Sequence, residues 1–122
     1  MNDSDGVKFM GILATALKAG NDATEDWDPN DWFPCGSGSV LVKPRNSVSR
    51  ASTSNKFARW LLNTFPERGS TMFIHDADYK KAVIITPLQF NQAMDPQIKW
   101  SSGVCGVLRD NNIKAEMWGY ID

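Results

Sequence analysis

Residues 43–62, KPRNSVSRASTSNKFARWLL, decide the fold that the sequence predicts. The segment follows a short apolar run and begins with a stretch rich in Ser, Asn and Arg. It ends in an amphipathic pattern, because Phe57, Leu61 and Phe65 share one helical stripe. We therefore predict a helix over residues 54–65. The segment then forms the first crossover from a strand to a helix.

The chain after this segment predicts further strands and helices. Thr86-Pro87 is a typical helix start, so we predict a short helix over residues 87–94. Residues 101–110 favour a helix, with a hairpin strand as the alternative, because two glycines weaken the helical pattern. The predicted strands are residues 39–43, 71–75, 81–86 and 113–121, the last of which alternates strictly between two faces.

The first 38 residues predict one helix and one long loop. We predict a helix over residues 5–19, with Gly20 as a left-handed residue after its end. Pro and Gly residues in the segment 21–38, NDATEDWDPNDWFPCGSG, are typical of an irregular loop. The apolar stripe predicted for the helix consists of Phe9, Met10, Leu13, Ala14 and Leu17.

The order of elements predicts a single α+β domain over residues 1–122. It consists of an N-terminal helix (1–20), an acidic-aromatic loop (21–38) and a ferredoxin-like core (39–122). The core has the split β-α-β-β-α-β pattern with a four-stranded antiparallel sheet. This pattern implies no function, since the same architecture hosts many. The N-terminal helix could cover the open face of the sheet or mediate self-association.

Charge is distributed unevenly along the chain. The net charge is −1, but residues 1–34 hold seven acids and two bases, whereas residues 35–70 hold six bases and one acid. Either the acidic loop folds onto the basic segment, or each meets a different partner. A sequence pI of about 5.7 argues against non-specific DNA binding, which needs a strongly basic domain.

Several classes of protein are excluded by composition. No run approaches the roughly 20 apolar residues of a membrane span, and the N-terminus has no basic leader region. Cys35 and Cys105 are expected to be reduced, with Cys105 buried, and neither stands in a zinc-binding spacing. We expect a soluble, cytoplasmic protein that does not contact membranes, is not an enzyme and holds no cofactor or metal.

The acidic-aromatic loop provides the first candidate binding surface. Acids alternate there with large aromatic side chains, which suits the recognition of a basic partner protein. Alternatively, the aromatic side chains tuck under the loop and anchor it, or the loop mimics a nucleic-acid strand. The candidate protein-binding residues are Trp27, Asp28, Asp31, Trp32 and Phe33.

The basic segment provides the second candidate surface. Cations, hydroxyls and a helix N-terminus together suit a phosphate, a nucleotide or a nucleic-acid backbone. Aromatic residues on the last strand could stack bases if Phe73 and His75 lie on the same side. Alternatively, the cations form a solvated surface that the acidic loop balances. The candidate residues are Lys43, Arg45, Arg50, Lys56, Arg59, Trp118 and Tyr120.

The sequence thus predicts, first, a small binding protein that acts through a macromolecular partner, most readily another protein. Inhibitors and adaptors are of this type, among them small phage or mobile-element proteins that block host machinery. Nucleic-acid or phosphate binding is the second hypothesis. An enzyme centred on His75, the single histidine, is the third, because Asp76 and Asp78 follow it and could assist acid–base chemistry.

Overall fold

The computed structural model describes residues 3–28, 30, 36–42, 53–69, 71–77, 82–90 and 93–121. Within these ranges the chain forms three helices and four strands around one sheet, so the predicted α+β class and the four-stranded antiparallel sheet are confirmed. In chain order the elements are α1 (Asp3–Ala23), β1 (Gly36–Val42), α2 (Thr53–Thr64), β2 (Met72–Ala77), β3 (Ala82–Pro87), α3 (Met94–Asp110) and β4 (Ala115–Ile121).

The sheet has the strand order β2-β3-β1-β4, and every neighbouring pair is antiparallel. Val40 of β1 stands opposite Ile85 of β3 on one side and Met117 of β4 on the other. β1 and β2 therefore run parallel to each other with β3 between them. β2 and β4 form the two edges.

The two faces of the sheet are buried differently. One face carries Val40, Val42 and Ile85 into the main core, which α2 and α3 close with Phe57 and Trp100 among others. The opposite face holds a smaller cluster of Leu41, Ala82 and Ile84, against which Trp118 packs. Because side chains alternate along a strand, successive residues of β1 and β3 contribute alternately to the main core and to the smaller cluster.

Helix α1 packs against the other helices and not against the open face of the sheet. Its Phe9 ring lies 5.4 Å from that of Phe57 and 5.8 Å from that of Trp60, both on α2. The predicted stripe was partly wrong: Phe9 and Leu13 are buried, but Met10 is 46% exposed and Ala14 is exposed. The helix is rotated so that Ile12, Ala16 and Gly20 complete the buried side.

Glycines allow α1 and α3 to approach closely. A Cβ atom at Gly20 would lie 2.8 Å from the Trp100 ring, and one at Gly103 would lie 2.8 Å from the carbonyl oxygen of Ala19. The prediction that Gly20 ends the first helix was therefore wrong, since α1 continues to Ala23. The role of Gly20 is to leave room for an indole ring, which also donates a hydrogen bond to Asn21 Oδ1 at 3.2 Å.

The helix predicted over residues 87–94 was also wrong. Pro87 is the last residue of β3, and α3 begins at Met94 with Asp95 and Pro96 in its first turn. Proline is tolerated there because the first backbone N–H groups of a helix have no intrahelical acceptor. An aspartate in the same turn interacts favourably with the helix dipole. The helix favoured over residues 101–110 is confirmed as the second half of α3.

A buried glutamine completes the sheet where β3 ends. Gly36 and Gly38, predicted to lie in a loop, belong to β1. The pairing of β1 with β3 stops at Val40 and Ile85, and continuing the same register would bring Gly38 opposite Pro87, the last residue of β3, which has no N–H. The side chain of Gln97 on α3, 3% exposed, accepts the Gly38 N–H at 2.9 Å and donates to the Gly36 carbonyl at 3.5 Å. A side chain at Gly38 would collide with the backbone of α3.

Candidate functional site

Trp27 anchors the described part of the acidic-aromatic loop. Its backbone N–H donates to the carbonyl of Thr24 at 3.1 Å, which continues the turn after α1. The indole is half-buried and packs edge-on against Phe90, with ring centroids 5.1 Å apart and planes at 89°. Most of the ring is therefore used in holding the loop to the core. Asp31, Trp32 and Phe33 lie outside the described residues.

The carboxylates around Trp27 point outward. Asp22, Glu25, Asp26 and Asp28 are all exposed, and we call these four residues the acidic turn. Asp28 accepts the backbone N–H of Asn30 at 2.9 Å, a local bond typical of aspartate turns. The loop thus combines an apolar anchor with an acidic surface.

Lys18 partly neutralises one end of the acidic turn. Its ammonium group lies 2.7 Å from Asp22 Oδ2, one helical turn away. This hydrogen bond and the charge of Asp22 raise the pKa of Lys18 above its ordinary value. In the described part of the chain, Glu25, Asp26 and Asp28 make no ion pair.

Only part of the basic segment can be placed. Lys56 and Arg59 lie one turn apart on the exposed side of α2, whereas Lys43, Arg45 and Arg50 lie outside the described residues. Ser54, one of the hydroxyls in the basic segment, accepts the backbone N–H of Lys114 at 2.8 Å. This hydroxyl therefore joins α2 to the residue before the last strand, and at 3% exposed the side chain is not on the surface that an anion would reach.

The open face of the sheet brings predicted aromatic residues to one side. Phe73 and His75 stack at 5.6 Å on β2, and the antiparallel register places them on the same side as Trp118 of β4. Between them the hydroxyls of Ser39 and Thr86 are 2.7 Å apart. Tyr120 is two residues beyond Trp118, at the register position opposite Ser37. Trp118 is half-buried against the small cluster, so it too has a packing role.

His75 is placed at the surface of an edge strand. Its Nδ1 lies 3.5 Å from Glu67 Oε1, and the two side chains are 42% and 66% exposed. Such a pair has open access to water, whereas acid–base sites gain most where water is excluded. Within the described ranges, no group of three or more His, Cys, Asp or Glu side chains could hold a metal ion. Asp78 lies outside these ranges.

Cys105 is buried in α3, as its apolar neighbours predicted. Burial raises the pKa of its thiol to about 11, and the nearby Arg109 only partly opposes this. The thiol is therefore protonated at neutral pH and is a poor nucleophile. Cys35 lies outside the described residues.

Cys105 should resist alkylation in the folded protein. In a Cys35→Ser variant at pH 8, we expect it to react with iodoacetamide at least roughly 100-fold more slowly than in denaturant, since raising the pKa of the thiol to about 11 alone reduces the thiolate about that much. Mass spectrometry of timed samples measures both rates. Similar rates with and without denaturant would show that the thiol is accessible.

None of the helices in the described ranges is both long enough and apolar enough to cross a membrane. No protein-family model matches the chain, and no curated protein or solved structure is significantly similar to it.

Proposed function

We propose that the protein is a non-enzymatic binding protein, of the inhibitor or adaptor type, and that the acidic turn contacts a basic partner protein. The observation that carries this proposal is that one loop contains both a packed aromatic residue and exposed carboxylates. Trp27 holds the loop against Phe90, while the carboxylates beside it remain exposed. Trp27 then acts chiefly as the anchor of the surface, and Asp28 belongs to the surface itself.

Two physical effects favour binding by such a surface. An anchored turn loses less conformational entropy on association than a flexible one. Clustered carboxylates also attract a basic partner over a distance and accelerate encounter, an effect that salt weakens. Glu25, Asp26 and Asp28 supply this charge, because none has an ion-pair partner in the described part of the chain.

Neutralising the acidic turn should abolish partner capture. The test compares the wild type with a Glu25→Gln/Asp26→Asn/Asp28→Asn variant as immobilised bait in lysate of the source cell. A matched control, Glu67→Gln/Asp95→Asn/Asp110→Asn, removes three exposed carboxylates elsewhere. We expect the wild type and the control to retain the same protein at low salt and to lose it as salt rises. Equal capture by the neutralised variant would contradict the proposal.

A second candidate function is the binding of single-stranded nucleic acid by the open face of the sheet. Its support is the placement of Phe73, His75 and Trp118 on one side, as stacking surfaces require. The negative charge of this surface disfavours a nucleic acid, since Glu116 lies on the same face and Glu67 lies beside His75. The two functions are distinguished by comparing bait incubated with nuclease-treated and with untreated lysate. Capture of nucleic acid from the untreated lysate, with no protein whose capture depends on salt in either lysate, supports nucleic-acid binding.

We propose a ferredoxin-like arrangement for residues 39–122. It is supported by the parallel course of β1 and β2 with β3 between them, and by the two helices α2 and α3 that contribute to the core on one face. Helix α1 is an addition that packs on α3, so the whole chain departs from the simple arrangement. We also propose a cytoplasmic location, which the unpaired thiol of Cys105 supports.

A further inference from the structure

The two edge strands of the sheet, β2 and β4, differ in the backbone hydrogen bonds made on their outer sides. The outer side of β2 is covered by the segment before it: Ile74 donates its N–H to the carbonyl of Glu67 at 2.7 Å, and Gly69 donates to Met72 at 3.0 Å. A further bridge joins Arg68 to Phe73. Among the described residues, β4 pairs only with β1, so the opposite edge has no such cover.

Two hydrogen bonds show which backbone groups of β4 point outward. Gly38 gives its N–H to Gln97, and the carbonyl of Ala115 accepts from Arg109 Nε at 2.7 Å, so neither group is used between β1 and β4. In an antiparallel pair, hydrogen-bonded and non-hydrogen-bonded positions alternate. Met117 and Gly119 therefore direct their N–H and C=O groups away from β1, out of the sheet.

The sequence of β4, AEMWGYI, is complementary to itself in an antiparallel pair centred on Trp118. In that register, Met117 of one copy stands opposite Gly119 of the other. The Met117 side chain, 44% exposed in one copy, would meet Gly119 and also Ile98 of the other copy, whose side chain lies over that glycine. Glu116 stands opposite Tyr120, so no like charges face each other.

Other registers are less favourable. Outward-pointing groups meet in any two-fold pairing that is centred on a residue of β4, so hydrogen bonding alone does not select one of these registers. Centring the pair on Glu116 would place two carboxylates opposite each other, which is destabilising. Moving the centre to either end leaves fewer of the seven residues paired. The register centred on Trp118 places all seven residues of the strand opposite one another. The Ala115 carbonyl already accepts from Arg109, so the new hydrogen bonds are chiefly those of Met117 and Gly119.

We propose that the protein forms a symmetric dimer in which β4 pairs with β4 of a second copy, giving a continuous eight-stranded sheet. This inference does not depend on the proposed function of the acidic turn. An uncovered edge strand favours pairing with another chain, and natural proteins that avoid this place lysine, proline or a bulge there. β4 contains neither lysine nor proline. The dimer brings the two Trp118 residues together at the centre of one sheet face.

The test measures the mass of the wild type and two variants by sedimentation velocity. Met117→Lys places a charge on the proposed interface, and Met10→Lys makes the same change at a similarly exposed site on α1, 46% against 44% exposed. We expect a dimer for the wild type and for Met10→Lys, and at least a roughly tenfold weaker dimer for Met117→Lys. A monomeric wild type, a monomeric Met10→Lys, or a Met117→Lys dimer as tight as that of the wild type would overturn the proposal.

Hydrogen exchange tests the same pairing in the wild type, so its result does not depend on whether a variant folds correctly. We expect the amides of Met117 and Gly119 to exchange about tenfold more slowly at about 500 μM than at about 5 μM, because pairing protects them only in the dimer. Exchange at these two amides that does not depend on protein concentration would overturn the proposal, even if the protein is dimeric.

Discussion

Replacing Gly103 with alanine should lower the free energy of unfolding by about 1–3 kcal/mol, the range typical of overpacked cores. The new Cβ atom would lie 2.8 Å from the carbonyl oxygen of Ala19, 3.0 Å from its carbonyl carbon and 3.1 Å from the nitrogen of Gly20. All three are backbone atoms inside α1, so no flexible side chain can move aside. The helices must separate, and Trp100 would lose part of its packing against Gly20.

The matched control is Gly106→Ala, three residues further along the same helix. Nothing lies within 4 Å of a Cβ atom there, so alanine gains helix propensity without a collision. We expect this variant to be about 0.5–1 kcal/mol more stable than the wild type. Urea unfolding followed by circular dichroism measures both changes. Shifts of the same sign would contradict the close packing of α1 on α3.

Replacing Trp27 with alanine should destabilise the protein by about 2–3 kcal/mol, somewhat less than the loss for a fully buried tryptophan. The indole is half-buried, but it packs on the main core and makes an edge-on contact with Phe90. Its removal deletes the aromatic contact with Phe90 and releases the turn after α1. Urea unfolding provides the free energies.

Trp27→Phe serves as the control for this prediction. Phenylalanine keeps a ring for the contact with Phe90, and the indole N–H has no hydrogen-bond partner to lose among the described residues. We expect a loss of no more than about 1.5 kcal/mol, because phenylalanine keeps most of the buried ring and removes only part of its volume. If Trp27→Ala were as stable as the wild type, Trp27 would not be an anchor. Trp27 would then again be a candidate for direct contact with a partner protein.

Sequence patterns predicted the elements whose periodicity is strong. The amphipathic stripe of α2 and the alternation in β4 both depend on side chains that must be buried, so the period identifies the element. Trp118 was likewise predicted on the non-core side of β4. Its position opposite Ser39, on the face that also carries Leu41 and Ile84, is the consequence of that alternation.

The errors arose where distant contacts decide local structure. Gly20 reads as a helix end by itself, because nothing nearby reveals that Trp100 needs the space. Gly36 and Gly38 read as loop, although Gln97, about 60 residues away in sequence, satisfies their backbone groups. Pro87 reads as a helix start until its position at the end of a strand ladder is known. None of these partners has a fixed spacing in the sequence.

The candidate site shows the same limit. The loop sequence contains acids and aromatic residues, but it does not reveal that Trp27 is packed on the core while the acidic turn is exposed. That difference depends on Phe90, which lies far along the chain from Trp27 and belongs to no motif. The glutamine of α3 was missed for a similar reason, since one Gln in a helix carries no signal of burial.

The contact between α1 and α3 also bears on how the chain folds during synthesis. Asn21 bonds to Trp100 across 79 residues, so α1 cannot complete its docking on α3 until those residues have been made. At about 5–20 residues per second, that interval lasts several seconds. Throughout it, the side of α1 that packs on α3, around Gly20 and Asn21, remains open to other contacts, although Phe9 can already meet Phe57 of α2. A nascent chain of this protein therefore exposes a surface that a chaperone can bind.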